Sequence, residues 1–152
     1  MYALFKTVHI AGVVVLVGNV TITAYWKVLA DRTSDPKLIA HAQHGVTVAD
    51  WIFTLAGIVL ILVGGYGAAA VAGLPLSGPA WLVVGQLLFA VSGLIWLAIL
   101  IPIQIRQARM ARSLIHDRAS SAQYRRDSRN WLIWGILATV PLVSRCGSEP
   151  AR

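Results

Sequence analysis

Three long apolar segments constrain this chain more than any other feature of its sequence. They cover residues 3–29, 51–73 and 80–105, and each exceeds the roughly 20 residues that a helix needs to cross a bilayer. Hydrophobic residues make up 57% of the 152 residues and charged residues only 12%, against about 25% charged in soluble proteins. The sequence therefore predicts an all-α, polytopic membrane protein.

A fourth, shorter apolar segment follows at residues 131–143. At 1.5 Å per residue it covers about 20 Å, less than the roughly 30 Å of a hydrocarbon core, but the arginines of the preceding YRRDSRN can extend toward lipid headgroups. Asp35 and Pro36 are typical of the N-cap and first residue of a helix. We therefore predict one domain, 1–152, that forms a four-transmembrane-helix bundle with helices at about 3–29, 36–73, 80–112 and 122–143.

The basic residues predict the orientation of this bundle. Ten of the 13 lysines and arginines fall in the first and third connections, namely Lys27, Arg32, Lys37 and seven arginines between 106 and 129. Positive loops stay cytoplasmic, so both termini are expected outside a bacterial cytoplasmic (inner) membrane. The net charge of +7 then indicates contact of the arginine-rich loop with anionic lipid headgroups and no nucleic-acid partner.

Residues at helical spacing predict which faces point into the bundle. Small and polar residues recur every three or four positions, as expected where helices approach closely in lipid. The predicted inward faces are His9, Gly12, Leu16, Asn19 and Thr23 in the first helix, Thr47, Asp50, Thr54, Gly57, Ile61, Gly64 and Ala68 in the second, and Gln86, Ala90, Gly93, Leu97, Leu100 and Gln104 in the third. His9 and Asn19 thus face the interior.

Two interpretations of His9 follow from this placement. In the first it is an axial ligand of haem b, since imidazole binds haem iron and helix bundles hold porphyrins between facing helices; the cofactor-binding set would be His9, Gly12, Asn19, Gly64, Gly65 and Gln86. In the second, a neutral His9 donates to a backbone carbonyl or to Gln86, and Asn19 bonds Thr54. His41 and His44 lie more than about 25 Å away by helix rise, which excludes two histidine ligands from one chain and leaves a five-coordinate iron, a non-histidine second ligand or a ligand from a partner chain.

His41 and His44 form a weaker candidate metal site. Their i, i+3 spacing would let them bind zinc or copper together with His116, although surface helices often carry histidines at this spacing. Asp50 is interpreted instead as a structural carboxylate at the cytoplasmic mouth, neutralised by Arg106 or Arg109. The single cysteine, Cys146, excludes both a disulfide framework and a cysteine metal site.

Three segments together carry a family resemblance: LFKTVHIAGVVVLVGNVTITAYW, VADWIFTLAGIVLILVGGYGAA and WLVVGQLLFAVSGLIWLAILIPIQ. Over roughly residues 3–140 the chain resembles a bacterial family of predicted integral membrane proteins, domain of unknown function 2269. That arrangement is similar to a wider group that includes copper-resistance D-like proteins and the four-helix membrane protoporphyrinogen oxidase. The resemblance implies a haem ligand at His9. Where the oxidase has a functional lysine, this chain has Gln86.

Two functions are expected from these observations. The first is an integral membrane protein that binds haem b through His9 in a redox or haem-related role. The alternative is a non-catalytic membrane subunit or a small transporter that handles a solute or metal ion without haem. Whether the chain is an enzyme is left open. A homodimer or larger membrane complex is expected because a short fourth helix leaves part of the bundle uncovered.

Overall fold

The computed structural model describes residues 1–113 and 121–143, and within these ranges the chain is helical, with no strand. The elements are α1 (Tyr2–Thr33), α2 (Pro36–Ala49), a π-helical turn (Asp50–Thr54), α3 (Leu55–Val71), α4 (Ala80–Ile95), a second π-helical turn (Trp96–Leu100), α5 (Ile101–Ser113) and α6 (Ser121–Val143). The predicted all-α class is confirmed.

The chain divides into two compact units, Met1–Leu76 and Ser77–Arg152. In the first unit α1 packs along α3 and also contacts α2 and the first π turn. In the second unit α6 packs against α4 and α5.

Capping residues set the boundaries of the helices in the first unit. The Asp35 carboxylate accepts a hydrogen bond from the backbone N–H of Lys37 at 2.9 Å, and Pro36 occupies the first turn of α2, as the sequence predicts. After α3, Gly73 has a φ of 66°, a left-handed conformation that glycine adopts without steric cost. The first unit therefore consists of two long helical segments joined by a short turn, and the second segment ends before Gly73.

Three helical segments are long and apolar enough to cross a membrane among the described residues: Tyr2–Thr33, Pro36–Val71 and Ala80–Arg112. They correspond to the three long apolar runs of the sequence. The fourth span and the sides of the two termini stay predictions.

The distribution of polar and apolar residues suits a lipid environment. The outward face of α1 exposes large apolar side chains, among them Ile10, Val14 and Ile22. Polar side chains are buried instead, including Asn19, Thr23 and Lys27 on α1 and Gln43, Asp50 and Thr54 opposite. This inversion of the usual soluble pattern is expected where hydrocarbon replaces water outside the protein.

The predicted inward faces hold for the first two segments but only partly for the third. Gly12, Leu16 and Asn19 are buried on α1. In the third segment Ala90 and Leu97 are exposed, while Ser92 is buried. The π turn Trp96–Leu100 separates the incorrectly predicted Ala90 from the correctly predicted Gln104, and a wider turn changes the helical spacing between the residues on its two sides.

Candidate functional site

The most polar buried group in the first unit joins α1 to the start of the first π turn. The Asn19 side-chain amide donates one hydrogen bond to Asp50 Oδ1 at 2.9 Å and another to Thr54 Oγ1 at 3.1 Å. All three residues are less than 8% exposed. The sequence prediction that Asn19 bonds Thr54 is confirmed, and Asp50 is added to the pair.

The π turn places both acceptors on one face of the second segment. In a π turn the hydrogen bonds run from i to i+5, so residues 50 and 54 stand nearly one above the other. Such single turns are frequent at functional sites. The Asn19 side-chain amide therefore contacts a carboxylate and a hydroxyl together. One turn away, Thr23 Oγ1 donates to the backbone carbonyl oxygen of Asn19 at 2.7 Å.

A buried ion pair continues this polar face toward the end of α1. Lys27 Nζ lies 3.1 Å from Asp31 Oδ2, and the Lys27 side chain is 1% exposed while that of Asp31 is 21% exposed. Lys27, which was counted with the basic residues of the first connection, lies within α1, because the helix continues to Thr33. Lys27 is four residues beyond Thr23 and eight beyond Asn19, so it extends the same face of the helix.

Gln43 extends the opposite face in the same direction. It lies seven residues before Asp50 and is 1% exposed. Neither Lys27 nor Gln43 was predicted as a site residue, but both follow from continuing the helical spacing of the two faces past the apolar segments. The helical spacing of the two faces pointed to both residues. The change in composition at the ends of the apolar segments concealed this spacing.

Arg106 has a carboxylate partner in the second unit. It donates to both carboxylate oxygens of Asp127, through Nε to Oδ2 and through Nη2 to Oδ1, the latter at 2.9 Å. Gln123 Nε2 donates to the same Oδ1 at 3.2 Å. This bidentate pair joins α5 to α6 within the second unit, and the expected neutralisation of Asp50 by Arg106 or Arg109 stays a prediction.

His9 is half-buried and bonded to the facing helix. Its Nδ1 lies 3.0 Å from the carbonyl oxygen of Ile61. A carbonyl oxygen only accepts, so Nδ1 carries the hydrogen in this contact. Among the described residues no hydrogen bond to Nε2 is found. His9 thus makes the backbone contact that the packing interpretation predicts.

Glycines bring α1 and α3 into close contact on the His9 side of Asn19. A Cβ atom at Gly12 would lie 2.7 Å from the Ile61 nitrogen, and one at Gly57 would lie 2.9 Å from Leu16 Cβ. At Gly64 it would lie 2.7 Å from the His9 Cα and 2.8 Å from the Phe5 carbonyl oxygen. The space that these glycines leave is therefore filled by α1.

The remaining predicted ligands are dispersed. Gly65 contacts the His9 ring, since a Cβ there would lie 3.1 Å from Nδ1, whereas Gln86 belongs to the second unit. His41 and His44 are exposed, and the described residues contain no group of three or more His, Cys, Asp or Glu that could hold a metal ion. His116 lies outside the described residues.

Comparison with known proteins gives one match. The model of a family described as predicted integral membrane protein (DUF2269) matches residues 3–144, the same family that the sequence resembles. No curated protein and no solved structure matches the chain. The wider similarity to the copper-resistance D-like group therefore stays a prediction.

Proposed function

Since this chain belongs to the DUF2269 family of predicted integral membrane proteins, we propose that it is a small membrane transport protein or subunit in which Asp50 takes up and releases a proton. The observation that carries the proposal is the buried Asn19–Asp50–Thr54 group. Ionisable residues within membrane segments are rare and mark ion pathways and proton relays.

The geometry of the group favours a proton over a metal ion. The acceptor oxygens of Asp50 and Thr54 both face the two hydrogens of one Asn19 amide. A bare cation would need lone pairs directed at it, whereas an amide nitrogen brings hydrogens to the same point. The carboxyl group of Asp50 is the member of this group that can gain and lose a proton.

A carbodiimide labelling experiment tests the role of Asp50. Dicyclohexylcarbodiimide enters membranes and reacts with carboxyl groups that take up a proton in apolar surroundings. We expect the protein in lipid vesicles to gain one adduct on the peptide that contains Asp50, as measured by mass spectrometry. Asp35→Asn is the matched control, because Asp35 is exposed and asparagine is an equally good N-cap.

The expected pattern is loss of the adduct in Asp50→Asn and its retention in Asp35→Asn. An Asp50 that stays unlabelled in the wild-type protein would contradict the proposal. Proton flux into vesicles loaded with a pH-sensitive dye then measures transport, and flux in Asp50→Asn equal to that of the wild type would exclude Asp50 from the pathway.

Haem b at His9 is the second candidate function. Its supporting observation is the hydrogen bond from Nδ1 to the Ile61 carbonyl, since a histidine that ligates a metal usually donates its other ring nitrogen to such an acceptor. His9 would supply one ligand to the haem iron, while α1 fills the space beside Gly64. A homodimer would supply the second ligand, and a Soret band in purified protein tests the idea.

We propose the following membrane setting for either function. The chain lies in the bacterial cytoplasmic membrane with both termini outside, so that the turn between α1 and α2 faces the cytoplasm. Arg109 and Arg112 of α5 and Arg125, Arg126 and Arg129 of α6 are exposed, which supports contact with anionic headgroups.

A further inference from the structure

The contacts between α1 and the second segment define how the two run past each other. Asn19 meets residues 50 and 54, and Gly12 meets residues 57 and 61. The two segments are therefore antiparallel. Lys27 lies two helical turns beyond Asn19 toward the end of α1. In this register Lys27 is level with residues 43–46 of α2, and α1 and α2 are in contact.

Gln43 lies at this level with its hydrogen-bonding capacity unused. Its Oε1 and Nε2 atoms are both buried, and neither has a hydrogen-bond partner among the described residues. An amide carries two donor hydrogens and an accepting oxygen, and burying it without partners is costly. Buried polar groups in this situation are normally satisfied by ordered water.

The Lys27–Asp31 pair connects this level to the aqueous end of α1. The Asp31 side chain is partly exposed and its carboxylate holds Lys27 Nζ at 3.1 Å. In the other direction the glycine contacts leave no room for a methyl group, since a Cβ at Gly57 would lie 2.9 Å from Leu16 Cβ. The close contact at Gly57 therefore lies on the His9 side of Asp50, whereas Gln43 and the partly exposed Asp31 lie on the side of the α1–α2 turn.

We infer that the first unit holds a water-filled entry between Lys27–Asp31 and Asp50, in which Gln43 binds and orients the water that exchanges protons with the Asp50 carboxyl. The inference rests on the proposed function and adds a positioning residue and a direction to it. The exchange is balanced: water carries a proton to the Asp50 carboxylate as hydronium, which leaves a carboxylic acid and water, and the reverse step releases the proton.

Infrared spectroscopy in heavy water tests the inference. The protonated Asp50 carboxyl gives a C=O band identified as the difference between wild type and Asp50→Asn, and the band shifts when its hydrogen is replaced by deuterium. We expect Gln43→Leu to slow this shift about tenfold or more, equivalent to a barrier increase of about 1.4 kcal/mol. His44→Leu, an exposed neighbour on α2, is the control and should exchange at the wild-type rate.

The outcomes separate the inference from the proposed function. Equal exchange rates in Gln43→Leu and wild type would overturn the entry while leaving Asp50 as the proton-binding group. Absence of an Asp50 carboxyl band at every pH that the protein withstands would overturn the proposed function itself. Gln43→Asn, which keeps the amide, should exchange faster than Gln43→Leu, and Gln43→Met makes the same apolar comparison if the leucine variant does not fold.

Discussion

The side-chain amide of Asn19 donates hydrogen bonds to two oxygen atoms of the facing segment. Its substitution by alanine would leave the buried Asp50 carboxylate and Thr54 hydroxyl without this donor. Because a buried acceptor that loses its partner retains its desolvation cost, we expect Asn19→Ala to lower the free energy of unfolding by about 1 to 3 kcal/mol. Thermal unfolding in detergent measures the change.

Thr21→Ala is the control for this prediction. Thr21 is exposed on α1 and its hydroxyl donates only to the Val17 carbonyl of its own helix, at 2.7 Å. The alanine variant should unfold at nearly the wild-type temperature. Equal stability of Asn19→Ala and Thr21→Ala would mean that Asp50 and Thr54 find other donors.

For His9 the prediction concerns haem. If the protein binds haem b, His9→Ala should abolish the Soret absorbance, because His9 is the only histidine predicted to lie in the outer half of the bundle. His41→Ala, His44→Ala and His116→Ala should retain it. A Soret band that survives His9→Ala, or colourless wild-type protein from haem-replete cells, would leave His9 with its packing role against Ile61 alone.

Residue spacing was sufficient to predict the partners of Asn19 only in part. Thr54 was expected because it lies on the inward face at a matching depth. Asp50 was expected at the cytoplasmic mouth, neutralised by Arg106 or Arg109, whereas its observed partner is Asn19 and the Arg106 guanidinium donates to Asp127. Composition alone cannot decide which of several carboxylates an arginine meets, because that choice depends on the packing of α5 against α6.

At the level of elements, glycine sets the distance between α1 and α3. A Cβ at Gly64 would collide with the His9 backbone, whereas nothing lies within 4 Å of a Cβ at Gly18. We therefore expect Gly64→Ala to lower the unfolding temperature, because backbone atoms would have to move apart. Gly18→Ala should be neutral or slightly stabilising, since alanine favours the helix.

The comparison of Gly64→Ala with Gly18→Ala in one detergent is informative because the chemical change is identical. A Gly64→Ala variant as stable as Gly18→Ala would mean that α1 moves away from α3 at little cost. The sequence predicted close packing around Gly64 as one interpretation, and the positions of Phe5 and His9 against the glycines support it.

Neither π turn was predictable from the sequence. Proline and glycine, which usually mark an irregular helix, are absent from both turns, Asp50–Thr54 and Trp96–Leu100. The predicted face of the second segment holds across its π turn, whereas the predicted face of the third segment fails on one side of its own. The face of the third segment was correct at Leu100 and Gln104 and wrong at Ala90 and Leu97.

For the whole molecule, orientation is the prediction that the basic residues support. A reporter active only in the cytoplasm should be silent when fused after Arg152 and active when fused in the α1–α2 turn. The reason is that ten basic residues are assigned to the first and third connections, which are therefore expected on the cytoplasmic side. A cytoplasmic signal after Arg152 would mean that α6 does not cross the membrane. A fusion after Leu76, in the uncharged second connection, should also be silent.

The overall class followed from the sequence because lipid imposes simple requirements. A span needs length and apolar composition, and both can be read directly from residues such as 51–73. The extent of α1 could not be read this way, because its last turns carry Lys27, Asp31 and Arg32. Those residues continue the helix beyond the apolar segment, where packing rather than hydropathy decides.

The π turn at Asp50–Thr54 also determines where the chain can be shortened. Deleting one residue from a regular helix rotates everything beyond it by about 100°, so loss of Val59 would turn Gly64 away from α1. A π turn already contains about one residue more than an α turn, and loss of Phe53, equally exposed at 50% against 54% for Val59, would convert it to regular helix. The Phe53 deletion should fold and the Val59 deletion should not. Natural length variation in this segment is therefore expected to concentrate at residues 50–54.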